Sequence, residues 1–98
     1  MAYDLDFISS AVDDLGKLIK HNPSLAVQLI VEHIPLIVRD PKGIGERKKG
    51  DLSHVRAYGF TFRGVAYRIV YEVDDTRQNV CIIAIGVHDT AYRRAKDR

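Results

Sequence analysis

A chain of 98 residues, 46% hydrophobic and 29% charged, has room for one core but not two, and its composition is that of an ordinary globular domain. No apolar stretch approaches the roughly 20 residues of a membrane span, and the acidic opening MAYDLDFISSAVDD lacks the basic n-region of a secretory signal. The formal charge is only +2, but it is unevenly spread: six acids and three bases up to Asp40 give −3, and twelve bases against seven acids from Pro41 onward give +5. A basic C-terminal part suits a polyanionic partner as well as it suits a solvated face. The single cysteine, Cys81, excludes an internal disulfide and fits a reducing cytoplasm; within the apolar run VCIIAIGV it reads as a buried thiol rather than a nucleophile.

Along the chain, Tyr3, Leu5 and Phe7 alternate with Asp4 and Asp6, the period of a half-buried strand. Ser9 and Ser10 then offer N-caps, with Ser10 to Asp13 spaced as a capping box. Ala11, Val12, Leu15, Leu18 and Ile19 recur at helical spacing and predict a first amphipathic helix to about Lys20. Asn22-Pro23 is a second start signal, a cap followed by proline at the first helical position. Leu25, Leu29, Ile30, His33 and Ile37 carry the second helix, which Pro35 should kink or break near His33. Asp40-Pro41-Lys42-Gly43 ends it, and Gly43 to Asp51 reads as an exposed loop carrying Arg47, Lys48 and Lys49.

The rest predicts strand. Tyr58, Phe60 and Phe62 share one face of a run from His54 to Phe62, and Ala57, Gly59 and Thr61 the other. Arg63-Gly64 suits a tight hairpin turn. Val65, Tyr67, Ile69, Tyr71 and Val73 alternate with Ala66, Arg68, Val70 and Glu72, and Asp74 to Asn79 forms a second hairpin loop. Val80 to Val87 is almost wholly apolar, as in a central strand covered on both faces. His88 to Lys96 is long enough for a final helical turn or two. The expected fold is α+β: a small twisted antiparallel sheet with an N-terminal helical hairpin and a short C-terminal helix, in one domain spanning 1–98.

This order, with the strings YRIVYEVDD, IAIGVHD and AYRRA, resembles the RelE/ParE toxin superfamily of bacterial type II toxin–antitoxin systems. The resemblance covers essentially the whole chain and is most specific from Tyr67 to Ala95. It implies a cytoplasmic toxin whose partner is a cognate antitoxin. RelE-like members are metal-independent endoribonucleases that cut messenger RNA on the ribosome; ParE-like members share the fold and poison DNA gyrase instead. The fold does not decide between them, and the site must. The resemblance matches Arg68 to a phosphate-binding arginine, His88 to a position that is arginine in RelE proper and histidine in some RNA-cutting relatives, and Tyr92 to an aromatic that stacks on a base. RelE proper has two lysines on the strand where this chain has Gly59 and Thr61.

Cutting RNA without a metal needs a base for the 2′-OH, positive charge at the phosphate and an acid for the leaving 5′-oxygen. Histidine serves either proton role near neutral pH. His88 is therefore the first candidate for acid or base, with a surface histidine capping a strand as the alternative. Arg68 is the phosphate clamp, or else an ion-pair partner of Glu72 on the same face. Tyr92 either stacks on a base or anchors the last helix. His54 is a second candidate base, whereas His21 and His33, on or beside helices, read as structural. Asp89 orients His88 or caps a helix. Lys48, Lys49, Arg56, Arg63, Arg93 and Arg94 are candidate RNA-backbone contacts. No cofactor is implied, because the chain has no metal-ligand spacing, nucleotide-binding glycine loop or nucleophile motif.

Overall fold

The computed structural model describes residues 2–47 and 55–98. In chain order the elements are β1 (Asp4–Phe7), α1 (Ser9–His21), α2 (Pro23–Gln28), a π-helical turn (Leu29–His33), α3 (Ile34–Arg39), α4 (Pro41–Ile44), β2 (Glu46–Arg47), β3 (Arg56–Phe62), β4 (Val65–Asp74), β5 (Asn79–Val87) and α5 (His88–Asp97). The five strands form one sheet in the order β1-β5-β4-β3-β2. It is antiparallel from β2 to β5, while β1 joins β5 in parallel, with Asp4 opposite Asn79 and Phe7 opposite Ile82. Two features go beyond the expected antiparallel sheet: that parallel edge strand, and β2, which occupies part of the segment read as loop. Among the described residues no helix is long and apolar enough to cross a membrane.

The alternation along β3 and β4 distributes side chains as the sequence predicts. Ile69 and Tyr71 of β4 join Leu29, Ile34 and Ile37 of the helical hairpin in the larger core cluster, with Tyr58 and Phe60 of β3 packed against it. Ala57 and Val70 face the other way, into a smaller cluster with Ala91 and Ala95 of α5. Helices therefore cover both faces of the sheet. Strand β5, central as expected, has Val80, Ile82, Ile83, Ala84 and Ile85 buried. Its register against β4 slips at one point: Val70 faces Ala84 but Tyr71 faces Ile82, leaving Ile83 as an extra residue. This bulge rephases the strand, so that Ile82 and Ile85 both reach the hairpin core while Ile83 and Ala84 reach the α5 core.

Local chemistry explains most boundaries. The β3–β4 turn has both Arg63 and Gly64 at positive φ (50° and 82°), the two-residue geometry that matches strand twist, and glycine takes the second position without steric cost. Pro23 and the Asn22 cap position start α2 where expected, although no side-chain cap is formed there. The proposed capping box at Ser10 is absent as well. Helix α1 begins one residue earlier, at Ser9, with Ile8 in the cap position and no side-chain cap bond. The side chain that does cap belongs to Asp40, whose Oδ1 accepts the Gly43 amide at 3.2 Å and turns the expected helix end into the short α4.

Pro35 does not break its helix. The wide turn at Leu29–His33 comes just before it, so the missing amide and the crowded carbonyl fall where the ladder is already relaxed. That turn also explains a burial pattern which a regular helix would not produce. Leu25, Leu29, His33 and Ile37 recur every four residues and all are buried, since one under-wound turn offsets the drift of a spacing-four stripe; Ile30, predicted on the same face, is left 45% exposed.

Candidate functional site

Arg68 lies on the α5 face of β4, opposite Gly59 of β3 on one side and Gly86 of β5 on the other. This placement has a direct physical consequence. The guanidinium lies flat over Gly59, in the volume that a side chain at 59 would take, and a Cβ there would collide with it. Its Nη1 donates a hydrogen bond to the Tyr67 carbonyl at 3.1 Å. Gly59 is thus the seat of the arginine.

Two residues beyond Gly86, His88 is the first residue of α5. Its ring meets Tyr92 edge-on, one turn along the same helix, with centroids 4.8 Å apart at 75°. The Asp89 carboxylate stands 3.3 Å from His88 Nδ1. Helix α5 has Val87 in its cap position and no side-chain cap bond, so Asp89 does not cap the helix. Arg68 and His88 therefore occupy neighbouring places at one end of the β4–β5 pair, and Tyr92 belongs with His88.

The other candidates separate from this group. Arg56 is turned away from the site: its Nη2 donates to the carbonyls of Lys42 (2.6 Å) and Gly45 (2.8 Å) and closes the end of α4. Arg94, read as an RNA contact, instead donates to Asp14 Oδ1 at 3.0 Å and to the Ile85 carbonyl at 3.3 Å. Arg93 is exposed on α5. Arg63 is exposed at the hairpin turn, its guanidinium 5.0 Å from the centroid of the Phe62 ring. Lys48, Lys49 and His54 lie outside the described residues. Cys81 is half-buried, and burial, followed by the nearby charges of Glu72 and Asp6, pushes its thiol pKa up, which opposes a nucleophilic role.

His33 is structural, as its helical position suggests. It is buried, shares a 2.8 Å hydrogen bond with the Tyr58 hydroxyl and stacks on Phe60 with centroids 4.0 Å apart. Burial lowers its pKa, against a smaller upward pull from Glu32, so the neutral ring is favoured.

One polar residue escapes the sequence reading altogether. Asp14, on α1, is 3% exposed and accepts from the Ile85 amide (3.1 Å), from Arg94 and, through both oxygens, from Arg98 (2.7 and 3.1 Å). Burial alone would raise its pKa, but the hydrogen bond from Arg98, that from the Ile85 amide and the two guanidinium charges outweigh it and hold the carboxyl below its usual range. The signal was present in the sequence: an acid three residues after Ala11 and four before Leu18 sits on the apolar stripe of α1.

Comparison with known proteins agrees with this fold. No curated protein matches the chain. Among solved structures, the toxin–antitoxin complex RelBE2 of Mycobacterium tuberculosis superposes with a TM-score of 0.74 at 24% identity, covering 90% of this chain and 93% of that one. A double arginine-to-alanine mutant of the E. coli toxin RelE in the free state gives 0.66 at 25% identity, covering 100% and 98%. The toxin of the intact E. coli RelBE complex gives 0.65 at 27%, covering 89% and 98%. Residues 8–96 match the ParE-like toxin of type II bacterial toxin–antitoxin systems. The chain belongs to that toxin family.

Proposed function

We propose that this toxin is a metal-independent endoribonuclease that cuts messenger RNA on the ribosome and so stops translation. The observation that carries the reading is the pairing of an arginine seated on the open part of the α5 face with a histidine at the end of the adjoining strand. Arg68 can fork onto the scissile phosphate and stabilise the charge that develops on it. His88, oriented by Asp89, supplies the proton transfer, either taking the 2′-OH proton or donating one to the leaving 5′-oxygen. The 2′-oxygen forms the new bond to phosphorus as the bond to the 5′-oxygen breaks. This leaves a cyclic phosphate and a 5′-hydroxyl; His88 handles one of the two protons and water the other, so the step calls on nothing beyond the RNA, His88 and solvent. In this reading Tyr92, which packs against the α5-side core and the His88 ring, stacks on a base. Arg63 and Arg93 add charge along the RNA backbone. Solved relatives include toxins in complex with their antitoxins, and a cognate antitoxin is the expected partner here.

The second reading, inhibition of DNA gyrase without nuclease activity, is favoured by one observation: Gly59 and Thr61 stand where RelE proper carries lysines. The test uses purified toxin freed of antitoxin, added to ribosomes programmed with messenger RNA in the presence of a chelator. Cleavage is expected, and His88→Ala and Arg68→Ala should each reduce it on the order of 10²-fold or more with the unfolding midpoint unchanged. Intact RNA together with gyrase-dependent DNA breaks would establish the second reading instead.

A further inference from the structure

Strand β5 is longer than its parallel neighbour. Pairing with β1 ends at Phe7 opposite Ile82, and the Ile8 amide makes the last backbone bond across that edge, to the Ile82 carbonyl at 3.1 Å. Beyond it, the Ile83 and Ile85 carbonyls and the Ile85 amide face a gap where no strand continues. Buried backbone groups left open in this way are costly. Three side chains close the gap: Asp14 accepts the Ile85 amide, Arg94 donates to the Ile85 carbonyl, and Arg98 donates to the Ile83 carbonyl at 2.9 Å. The two arginines then meet on the same Asp14 carboxylate. They are four residues apart, Arg94 within α5 and Arg98 at its C-cap, so both reach the same side. A single buried anion therefore joins α1, the last part of β5 and the C-terminal end of α5.

Apolar packing supplies part of this attachment, with the half-buried Tyr92 ring set against the α5-side cluster. The fully buried contacts of α5 are Ala91 and Ala95, against Val55, Ala57, Val70, Ile83 and Ala84. A buried alanine offers one methyl, worth less than about 1 kcal/mol. A helix of ten residues is too short to persist by itself in water. The clasp is a polar attachment of this helix to the sheet and α1, and the helix's first residue is His88.

We propose that Asp14 is a positioning residue of the Arg68–His88 site, acting through Arg94 and Arg98 to fix α5 and the end of β5 so that His88 and Tyr92 stand beside Arg68. The catalytic part of this proposal rests on the ribonuclease reading; the placement part does not. Two variants test it, Asp14→Asn and Arg98→Ala. The second removes only one partner and leaves Asp14 paired with Arg94, so it decides the matter if Asp14→Asn fails to fold.

Two measurements are made on folded protein well below its melting temperature. By NMR, the methyl contacts of Ala91 and Ala95 with Val70, and the ring contact of His88 with Tyr92, should weaken or vanish in both variants, while the contacts of the Leu29 and Ile69 side chains persist. In the ribosome assay kcat should fall by tenfold to on the order of 10²-fold with KM for RNA unchanged, since misplacing a reacting group by about 1 Å costs that much. Loss of overall folding would instead erase both sets of contacts. Native contacts together with native kcat in folded Arg98→Ala would overturn the proposal. If the wild-type toxin proves inactive on RNA, the ribonuclease reading fails, and the NMR arm still decides whether Asp14 sets the place of His88.

Discussion

The two faces of the sheet are attached to their helices by different means. On the hairpin side large apolar groups interlock: Ile69, Tyr71, Val80, Ile82 and Ile85 against Leu29, Ile34 and Ile37. A buried histidine in that layer, His33, is held neutral between Tyr58 and Phe60. On the α5 side small residues meet, and a buried ionised carboxylate with two arginines closes the edge. Bulk fills one face. Small residues leave space on the other, and that space holds Arg68 over Gly59. The division predicts that stability and activity respond to different substitutions.

The largest expected effect is on stability alone. Leu29 is fully buried in the hairpin core, and Leu29→Ala should cost about 2–5 kcal/mol in urea-induced unfolding, through lost burial and the cavity left behind. RNA cleavage per folded molecule should not change. A large loss of kcat in folded Leu29→Ala would mean that the hairpin core also sets the site, and the separation of the two faces would fail.

A smaller change on the other face should move stability and activity in opposite directions. Gly59 lies within β3 and has no positive φ that would require glycine. Gly59→Ala should therefore be neutral to stabilising by about 0.4–1 kcal/mol, because the unfolded chain loses freedom. The new methyl group must push the Arg68 guanidinium off its seat, which the flexible end of that side chain permits. Cleavage should fall by roughly tenfold, the equivalent of about 1.4 kcal/mol. Activity equal to or above wild type would show that the seat over Gly59 is not the working position of the arginine.

The sequence made the hairpin face legible and much of the other face obscure, for physical reasons. Period-2 alternation over seven to ten residues is a strong signal, so the opposite facing of Tyr58 and Gly59, or of Ile69 and Arg68, could be read directly. The Arg63-Gly64 turn was equally plain. A four-residue β1 carries no information about direction, and its parallel pairing emerges only from the fold. The two-residue β2 has no period at all. In α5, Arg93 and Arg94 look alike in a run of bases, yet one is solvated and the other is fixed to Asp14. What separates them is the helical face defined by Ala91 and Ala95, a pattern too short to be recognised before the sheet beneath it is known. Asp14 was legible in principle, since an acid on an apolar stripe is buried either with partners or not at all.

The smallest expected effect distinguishes the two buried polar groups by pH. Burial depresses the His33 pKa below its ordinary 6.5, so its neutral form contributes stability in full above that value. As pH falls below 6.5 the unfolded chain takes up the proton first, and that stability is lost through the lower folded value. Asp14 follows the same rule from a lower origin. Its folded pKa is held below 3.8, so the clasp keeps its full contribution down to that pH and weakens only beneath it. Unfolding midpoints measured from about pH 7.5 to about pH 3 should therefore fall in two separate stages. The upper stage should shrink in His33→Phe, which keeps the ring on Phe60 but removes the titrating nitrogen. The lower stage should survive in His33→Phe and shrink in Arg98→Ala. An upper stage of undiminished size in His33→Phe would assign it to another histidine and leave the hairpin face without a titrating group.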